Sequence, residues 1–228
     1  MQDQYSTRAD MVVDEMKQVI HIHNPRTAGN AMRSWVRRRQ FGYQELYQIN
    51  ERFKQRDWKS RFNPSVAWTY LGHTTPGELI ENEVITQEWF EGCFRFVFVR
   101  NTWSRLVSFY EFLRGSSQRM KRPEWKHLAD FGAFVQHVIS GKDNLPRFRY
   151  RQIPWLQWGV DFVGRFESLE IDWKRLCGEV GVECSPLRRR GIRISKTPRD
   201  YRQYYTDELR GMVADYYADE IVKFGFEF

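Results

Sequence analysis

Residues 23–31, HNPRTAGNA, combine a turn, small side chains and one arginine in a pattern that is suited to binding an anion. Asn24 and Pro25 predict a sharp turn after a short β-prone run at 18–23. The small residues beyond the turn let the chain enter a helix with several backbone N–H groups directed at one point. Arg26 adds a charged, planar guanidinium that matches phosphate or sulfate oxygens. The alternative is an ordinary turn in which Arg26 is solvated.

A second candidate anion site follows the apolar run FRFVFV at 94–99. Arg100 stands directly after this run, and Ser108 lies two helical turns further along the chain. In open α/β sheets, ligands bind beyond the carboxyl ends of the strands. Two anion sites at neighbouring strand ends would suit a ligand that carries phosphates at both ends of a ribose. A salt bridge from Arg100 to a nearby acid is the alternative, and the absence of G-x-x-x-x-G-K-[ST] disfavours an ordinary ATP-binding loop.

The elements that would position these residues alternate along the chain, strand then helix, which is typical of an α/β fold with a parallel sheet. We predict strands at 18–23, 66–72, 94–99 and 161–166. We predict helices at 28–39, from Thr75 and Pro76 onward, at 103–113 after a cap at Asn101 or Thr102, between Asp130 and Gly141, from Ser168 to about 180, and from Thr206 to Gly225. Two basic stretches, 114–128 and 185–200, remain as candidate binding loops.

The composition favours one folded domain with an anionic partner. The 228 residues carry 36 basic and 29 acidic side chains, a net charge of +7 that suits nucleic acid, a nucleotide or an anionic sugar alike. We expect a single domain over 1–228, with 1–17 as a flexible or peripheral segment. No stretch reaches the ~20 apolar residues of a membrane span, and no secretory leader is expected. The three cysteines lack metal-ligand spacing and are expected to be reduced, in a cytoplasmic protein.

Several segments, in consistent order, resemble the sulfotransferases that use 3′-phosphoadenosine 5′-phosphosulfate (PAPS), in particular the carbohydrate sulfotransferases that include heparan sulfate 2-O-sulfotransferase. The segments are VIHIHNPRTAGNAM, YLGHTTP, FRFVFVRNTWSRLVSFYEFLR, VGRFESLEIDWKRLC and YYTDELRGMVADYYADEIVKFGFEF. Together they span most of residues 18–228, and the third is the most specific. The resemblance implies a P-loop NTPase-like, three-layer α/β fold with a central parallel sheet flanked by helices.

The resemblance also implies roles for the first anion site. Arg26 stands where the family usually has Lys, and would hold the 5′-phosphate and the transferring sulfuryl oxygens. The residues that follow would offer backbone N–H groups to the same phosphate: Thr27, Ala28, Gly29 and Asn30. The family tends to have hydroxyl residues at the positions of Asn30 and Ala31, so this chain departs from the family pattern at three positions of the loop.

The second anion site would bind the 3′-phosphate of the donor. Family members use an Arg and a Ser eight residues apart, which are Arg100 and Ser108 here. Arg105 points another way on the predicted helix, where a structural salt bridge is an equally good interpretation. Relatives close a loop over the adenine and 3′-phosphate at 185–200, with these candidate contacts: Arg193, Ser195, Lys196 and Thr197. A mobile basic loop is the alternative for that stretch.

His73 is the candidate catalytic base, because it ends a predicted strand on the presumed ligand side. An acceptor hydroxyl needs a base that takes its proton, and imidazole has a pKa suited to neutral pH. The matching His serves this role in the 2-O-sulfotransferase relatives. A core or helix-capping histidine is the alternative, and Glu78 and Glu81 are the next candidates, because other carbohydrate sulfotransferases use Glu. His21 and His23, within the first strand, are predicted to be packing residues.

We therefore expect a PAPS-dependent O-sulfotransferase that moves a sulfuryl group to a hydroxyl of a carbohydrate or other small acceptor by in-line displacement, leaving 3′-phosphoadenosine 5′-phosphate (PAP). No metal is expected, because cationic side chains supply the counter-charge. Aromatic and basic residues mingle at 147–158, where they would line an acceptor cleft or belong to the core. Two alternatives remain: a non-catalytic protein that binds PAP or PAPS, and a less favoured nucleic-acid-binding protein that uses 33–39 and 188–193.

Overall fold

The fold is that of a computed structural model of the chain. It describes residues 19–29, 31–32, 44–45, 75–81, 85–115, 130–141, 151–187 and 200–228. Several sequence predictions lie wholly or mostly outside these residues: segment 1–17, strand 66–72, helix 28–39 and the basic stretches 114–128 and 185–200. Of the predicted helix 28–39, four residues are described: Gly29, Ala31 and Met32 are helical, whereas Ala28, with its φ of 67°, still belongs to the turn.

Four parallel strands form the sheet in the described part of the chain. They are β1 (Val19–Ile22), β2 (Gln44–Glu45), β3 (Phe94–Val99) and β4 (Phe162–Arg165), in the order β2-β1-β3-β4. Ile22 lies opposite Val97, and Val99 lies opposite Arg165, so the segments that follow β1, β3 and β4 all leave the same edge of the sheet. Helices flank this sheet, which confirms the prediction of an α/β fold with a central parallel sheet.

The helices alternate with the strands as the sequence predicts. They are α1 (Pro76–Glu81), α2 (Gln87–Glu91), α3 (Thr102–Arg114), α4 (Phe131–Ser140), α5 (Leu169–Glu179), α6 (Asp207–Tyr216) and α7 (Ala218–Phe224), with short 3₁₀ helices at Ile153–Leu156 and Tyr201–Tyr204. Helix α2 is not predicted from the sequence, although Thr86 caps it by accepting a hydrogen bond from the Trp89 N–H. None of the helices described has both the length and the apolar character that crossing a bilayer requires.

The alternation of side chains along β3 divides the core between the two faces of the sheet. Val97 packs on one face, in a cluster with Ile20 of β1, Leu79 of α1 and Phe90 of α2. Phe96 and Phe98 point to the other face, in a cluster that includes the following residues of β4 and α5: Phe162, Leu169, Trp173 and Leu176. Because both faces of β3 are buried, its sequence is almost continuously apolar.

A third core cluster packs α3 against the helices beyond the sheet. It joins Trp103 and Tyr110 of α3 to Phe134 of α4, Val213 of α6 and Phe224 of α7. This cluster matters for function because it fixes the orientation of α3, whose first turns border the candidate site.

Of the predicted helix caps, the structure confirms Thr75, Asn101, Asp130 and Thr206, and it corrects Ser168. Asn101 caps α3, and Asp130 caps α4, whose end at Gly141 has the left-handed φ of 60°. Ser168 does precede α5, but its hydroxyl donates to the Asp172 carboxylate at 2.7 Å and does not cap a backbone N–H. Asp172 also accepts a hydrogen bond from the Arg165 N–H, so it joins β4 to α5.

The single final helix predicted from Thr206 to Gly225 is wrong, because the helix is interrupted at Tyr217. Tyr217 leaves helical geometry, with φ −108° and ψ 22°, and its side chain is fully buried in the third core cluster. The interruption creates α6 and α7 as separate helices, and it accompanies the burial of Glu220 on α7. Tertiary packing overrides a local pattern that is helical throughout.

Candidate functional site

The loop after β1 and the junction between β3 and α3 meet at the carboxyl edge of the sheet. The Nη1 atom of Arg100 donates to the main-chain oxygen of Arg26 at 3.4 Å. The Nε atom of Arg26 in turn donates to the Ser108 hydroxyl at 3.0 Å. The structure therefore brings together three residues that the sequence places in two separate anion sites.

The loop after β1 has a strained backbone. Arg26 and Ala28 have φ values of 71° and 67°, a region that is costly for residues with a side chain. Thr27 lies between them, buried, and its hydroxyl donates to the Asn24 carbonyl at 2.7 Å. Gly29 packs against His23, and a Cβ at this position would lie 2.1 Å from Nε2 of that ring and displace it. Strain of this kind is characteristic of loops that position backbone groups for a ligand.

Arg100 is a buried cation at the end of β3. Its side chain donates twice to the Ser104 hydroxyl, from Nε at 2.9 Å and from Nη2 at 2.8 Å, and lies 4.1 Å from the ring centroid of Phe166. The pKa of its guanidinium is lowered to about 9, chiefly by burial; Glu167 opposes this shift, and the charges of Arg26 and Arg105 contribute to it. The group stays protonated at neutral pH, in surroundings where a bound anion would be strongly stabilised.

Arg100 and Ser108, which are predicted to bind one phosphate, each contact a different side chain in the structure. Both residues are almost fully buried, but Ser108 contacts Arg26, and the serine that contacts Arg100 is Ser104. Ser104 is not among the residues predicted for the site, because its contact with Arg100 depends on how the chain turns from β3 into the first turn of α3. Ser104 and Ser108 are themselves four residues apart on α3, so the two hydroxyls lie on one face of this helix.

Arg105 of α3 also holds the loop after β1, through the residues that precede Arg26. It is fully buried, and it donates from Nε to the Pro25 carbonyl and from Nη2 to Oδ1 of Asn24, both at 3.0 Å. Burial lowers the pKa of Arg105 to about 10, while Glu220 and Tyr217 oppose this effect. Arg105 therefore holds the turn that carries Arg26.

Several predicted site residues lie outside the part of the chain that the structure describes: Asn30, His73, Arg193, Ser195, Lys196 and Thr197. The helix that follows His73 is described. Its first residue is Pro76, and Thr75 forms a reciprocal cap with Glu78, whose carboxylate accepts from the Thr75 N–H at 2.8 Å. Glu78 thus has a structural role at this helix start, and Glu81 lies exposed at the helix end.

The other candidates of the sequence analysis include core residues. His21 is fully buried and stacks on Phe96, with ring centroids 4.8 Å apart, so it is a packing residue. Burial lowers its pKa to about 3, and it is neutral at physiological pH. In the stretch 147–158, Trp155 belongs to the core and Trp158 is exposed.

Arg26 and Arg100 are the cations of the site, and the Glu167 carboxylate lies near Arg100. Within the described segments, no group of three or more His, Cys, Asp or Glu side chains is placed to hold a metal ion. Two guanidinium groups, two hydroxyls and a strained loop converge where β1 and β3 end, beside the start of α3. The positive end of that helix adds to the field. The arrangement is suited to binding phosphate or sulfate groups and to stabilising negative charge that develops on them.

Comparison with known proteins agrees with this chemistry. A protein-family model described as a sulfotransferase family matches residues 10–227 of the chain. The matched region includes every residue of the site described above. A search of curated proteins finds no match.

Proposed function

Because the chain belongs to the sulfotransferase family, and is therefore a sulfotransferase, we propose that its sulfuryl donor is PAPS and that its acceptor is a hydroxyl group of a carbohydrate or another small molecule. The heparan sulfate 2-O type is the form of the family that the sequence resembles. The acceptor class rests on that resemblance.

The observation that carries this proposal is the meeting of Arg26, Arg100, Ser104 and Ser108 at one sheet edge. PAPS has a 5′-phosphosulfate and a 3′-phosphate, so its binding site needs separate cationic groups a short distance apart. The Nη1 atom of Arg100 lies 3.4 Å from the main-chain oxygen of Arg26, so the two arginines are neighbours. Burial lowers the pKa of Arg100, and the charge of Arg26 acts in the same direction. An anion with more than one phosphate would relieve this repulsion.

The residues of the site have distinct proposed tasks. Arg26 would hold the 5′-phosphate and the sulfuryl oxygens, together with backbone N–H groups from Thr27 to Asn30. Arg100 would hold the 3′-phosphate with Ser108, and Ser104 would keep the Arg100 guanidinium oriented. When bound, PAPS supplies an activated sulfuryl group on a phosphate leaving group. Arg26 would stabilise the negative charge of that phosphate, and its contacts with Ser108 and Phe112 fix its direction in advance.

We assign the acceptor side to His73, by its resemblance to the base of the 2-O-sulfotransferases. The imidazole would take the proton from the acceptor hydroxyl as the oxygen attacks sulfur in line with the leaving phosphate. His73 lies outside the described residues, two positions before Thr75, the residue that caps α1.

We also propose a single cytoplasmic domain over 1–228 that uses no metal. The three cysteines, Cys93, Cys177 and Cys184, form no disulfide in the structure, which suits a reducing compartment. The counter-charge for the donor would come from Arg26 and Arg100.

Arg100→Ala tests the donor assignment. We expect PAP binding to weaken by about 2–3 kcal/mol, the scale of a charged hydrogen bond left unmade. Adenosine 5′-phosphosulfate, which lacks the 3′-phosphate, should lose far less affinity. Isothermal calorimetry with both ligands makes the comparison, and PAPS-dependent labelling of a hydroxyl library tests transfer itself.

The matched control is Arg114→Ala, an exposed arginine at the far end of α3 that pairs with Glu111. It should bind both ligands as the wild type does. Equal losses for PAP and adenosine 5′-phosphosulfate in Arg100→Ala would contradict the assignment of Arg100 to the 3′-phosphate.

A further inference from the structure

Gln152 lies buried between the ends of β1 and β3, within the stretch 147–158, where the sequence gives this glutamine no role of its own. Its Oε1 accepts from the Arg100 N–H at 2.9 Å and from Nδ2 of Asn24 at 3.1 Å. Its Nε2 donates to the Arg100 carbonyl at 2.8 Å and to Oε2 of Glu220 at 3.3 Å. One side chain therefore contacts both strand ends that form the site.

The hydrogen bonds of this amide are saturated and its orientation is determined. A glutamine amide has two donor hydrogens and two acceptor lone pairs, and all four are used here. The Arg100 N–H is only a donor and the Arg100 carbonyl is only an acceptor, so the amide cannot be reversed. The amide pairs with both the N–H and the carbonyl of Arg100, as the backbone of a neighbouring strand would.

Asn24 extends this connection to the loop that carries Arg26. Its Nδ2 donates to Gln152 and to the Phe98 carbonyl at 2.9 Å, while its Oδ1 accepts from Arg105. The turn after β1 is thus tied to β3 through polar side chains with no exposed surface.

Glu220 holds Gln152 in place from α7. Its Oε1 accepts from the Gln152 main-chain N–H, and its Oε2 from Nε2 of the same residue. Thr102 of α3 donates to Oε2 as well, at 3.5 Å. Burial raises the pKa of Glu220, while Arg105 and the hydrogen bonds from Gln152 oppose this effect.

We propose that Gln152 is a positioning residue of the donor site, which sets the distance and angle between the Arg26 loop and Arg100, and that Glu220 is its support. The proposal rests on the proposed function, because it assigns Arg26 and Arg100 to the two phosphates of one ligand. Gln152 itself would not touch the donor. It would determine whether both phosphates are held at the same time.

Gln152→Met is the test, because methionine has a similar length and no amide. We expect the variant to be folded and to bind PAP about 10- to 100-fold more weakly, since the Arg100 peptide and Asn24 lose buried partners. The affinity for adenosine 5′-phosphosulfate should fall less, because two of the four lost bonds hold Arg100. Gln157→Met, the same change at an exposed position beyond the 3₁₀ helix, should match the wild type.

Circular dichroism and thermal unfolding of the same samples separate positioning from stability. A residue that only stabilises the fold would lower the melting temperature and leave both affinities unchanged in the folded protein. A folded Gln152→Met protein that binds PAP within twofold of the wild type would therefore overturn the proposal. Wild-type and Gln157→Met proteins that both fail to bind PAP would instead disprove the proposed function, and this inference with it.

If Gln152→Met does not fold, Glu220→Gln tests whether Gln152 positions the donor site. Its amide keeps one oxygen for the Gln152 N–H and loses the second acceptor, so the change is milder. We expect a folded protein whose PAP affinity is several-fold lower. Unchanged affinity in this variant would overturn the proposal.

Discussion

Arg26 is held in an unfavourable backbone conformation, and its side chain is already committed to a direction before any ligand binds. Its φ is 71°, its Nε bonds to Ser108, and its guanidinium lies 4.6 Å from the ring centroid of Phe112. Arg100 is comparably constrained by Ser104 and Phe166. At the scale of the residue, the site consists of cations whose orientation is set in advance, which reduces the cost of reorganisation during the reaction.

Arg26→Ala should lower turnover more than it lowers PAP affinity, because PAP lacks the sulfuryl group that Arg26 is proposed to hold. We expect turnover to fall by ~10²–10³-fold, the usual effect of removing a donor to a developing charge. Arg26→Lys restores the residue that the family usually has, and should keep or raise activity. Steady-state rates and calorimetry measure the two quantities. If Lys reduces turnover as far as Ala does, this loop works differently from that of its relatives.

His73→Ala should lower turnover by ~10²–10⁴-fold and leave PAP affinity within a few tenths of a kcal/mol, because the imidazole is proposed to face the acceptor. The wild-type rate should rise with pH through an ionisation at or above ~6.5, since nearby phosphates favour the imidazolium. This rise of the rate with pH should be absent from His73→Ala. His137→Ala on α4 is the control, and near-normal turnover of His73→Ala would exclude the role and direct attention to Glu78 and Glu81.

At the scale of the element, α3 contributes most to the site. Asn101 caps the helix, and its own N–H donates to Glu167 while its Nδ2 donates to the Glu227 carbonyl. Ser104 and Ser108 face the arginines, and Arg105 donates to the loop after β1. The helix therefore needs a fixed start and a fixed rotation, which the third core cluster and its cap provide.

Replacing glycine by alanine should have opposite effects on stability at Gly164 and at Gly178. A Cβ at Gly164 of β4 would lie 2.4 Å from the ring of Phe98, so Gly164→Ala should lower the free energy of unfolding by about 1–3 kcal/mol. Gly178 on α5 has no such neighbour, and Gly178→Ala should raise that free energy by about 0.5–1 kcal/mol. Urea unfolding measures both changes, and a stable Gly164→Ala protein would show that β3 and β4 can move apart without cost.

At the scale of the whole molecule, the site depends on parts of the chain that are far apart in sequence. Arg26 and Ser108 are separated by 82 positions, and Gln152 and Glu220 by 68. The buried groups of this network include two cations and a carboxylate. A molecule with this many buried ionisable groups should respond to acid through several of them at once.

Burial of His21 should make the protein less stable in acid. Its folded pKa is about 3 against an ordinary value of 6.5, because burial disfavours the charged ring. Between pH 6.5 and about 3, the unfolded chain binds a proton that the folded protein does not. As the pH decreases through this range, the His21 contribution lowers the free energy of unfolding by ~1.4 kcal/mol per pH unit. The raised pKa of Glu220 acts in the opposite direction, because the folded protein then takes up a proton first.

His21→Phe isolates the contribution of the histidine. The variant keeps a ring beside Phe96 and removes the titration, so its free energy of unfolding should depend less steeply on pH below 6.5. Urea unfolding at a series of pH values on both sides of 6.5 measures the two slopes. Parallel slopes for the wild type and the variant would contradict the assignment.

Local patterns in the sequence were sufficient for much of the fold. The run FRFVFV predicts β3 with its observed bounds, and Asp130 with Gly141 predicts both ends of α4, because caps and apolar runs depend on residues within a few positions. The sequence also predicts that Arg26 and Arg100 lie near one edge of the sheet, because each follows a strand and parallel strands end at the same edge.

Only the tertiary structure decided which side chains meet at that edge. Ser104 contacts Arg100, Ser108 contacts Arg26, and Gln152 joins both strand ends. The interruption at Tyr217 likewise contradicts a continuous helical pattern. Each of these outcomes depends on how distant segments pack, and the free energy of burying Gln152 or Tyr217 comes from partners that no local window contains.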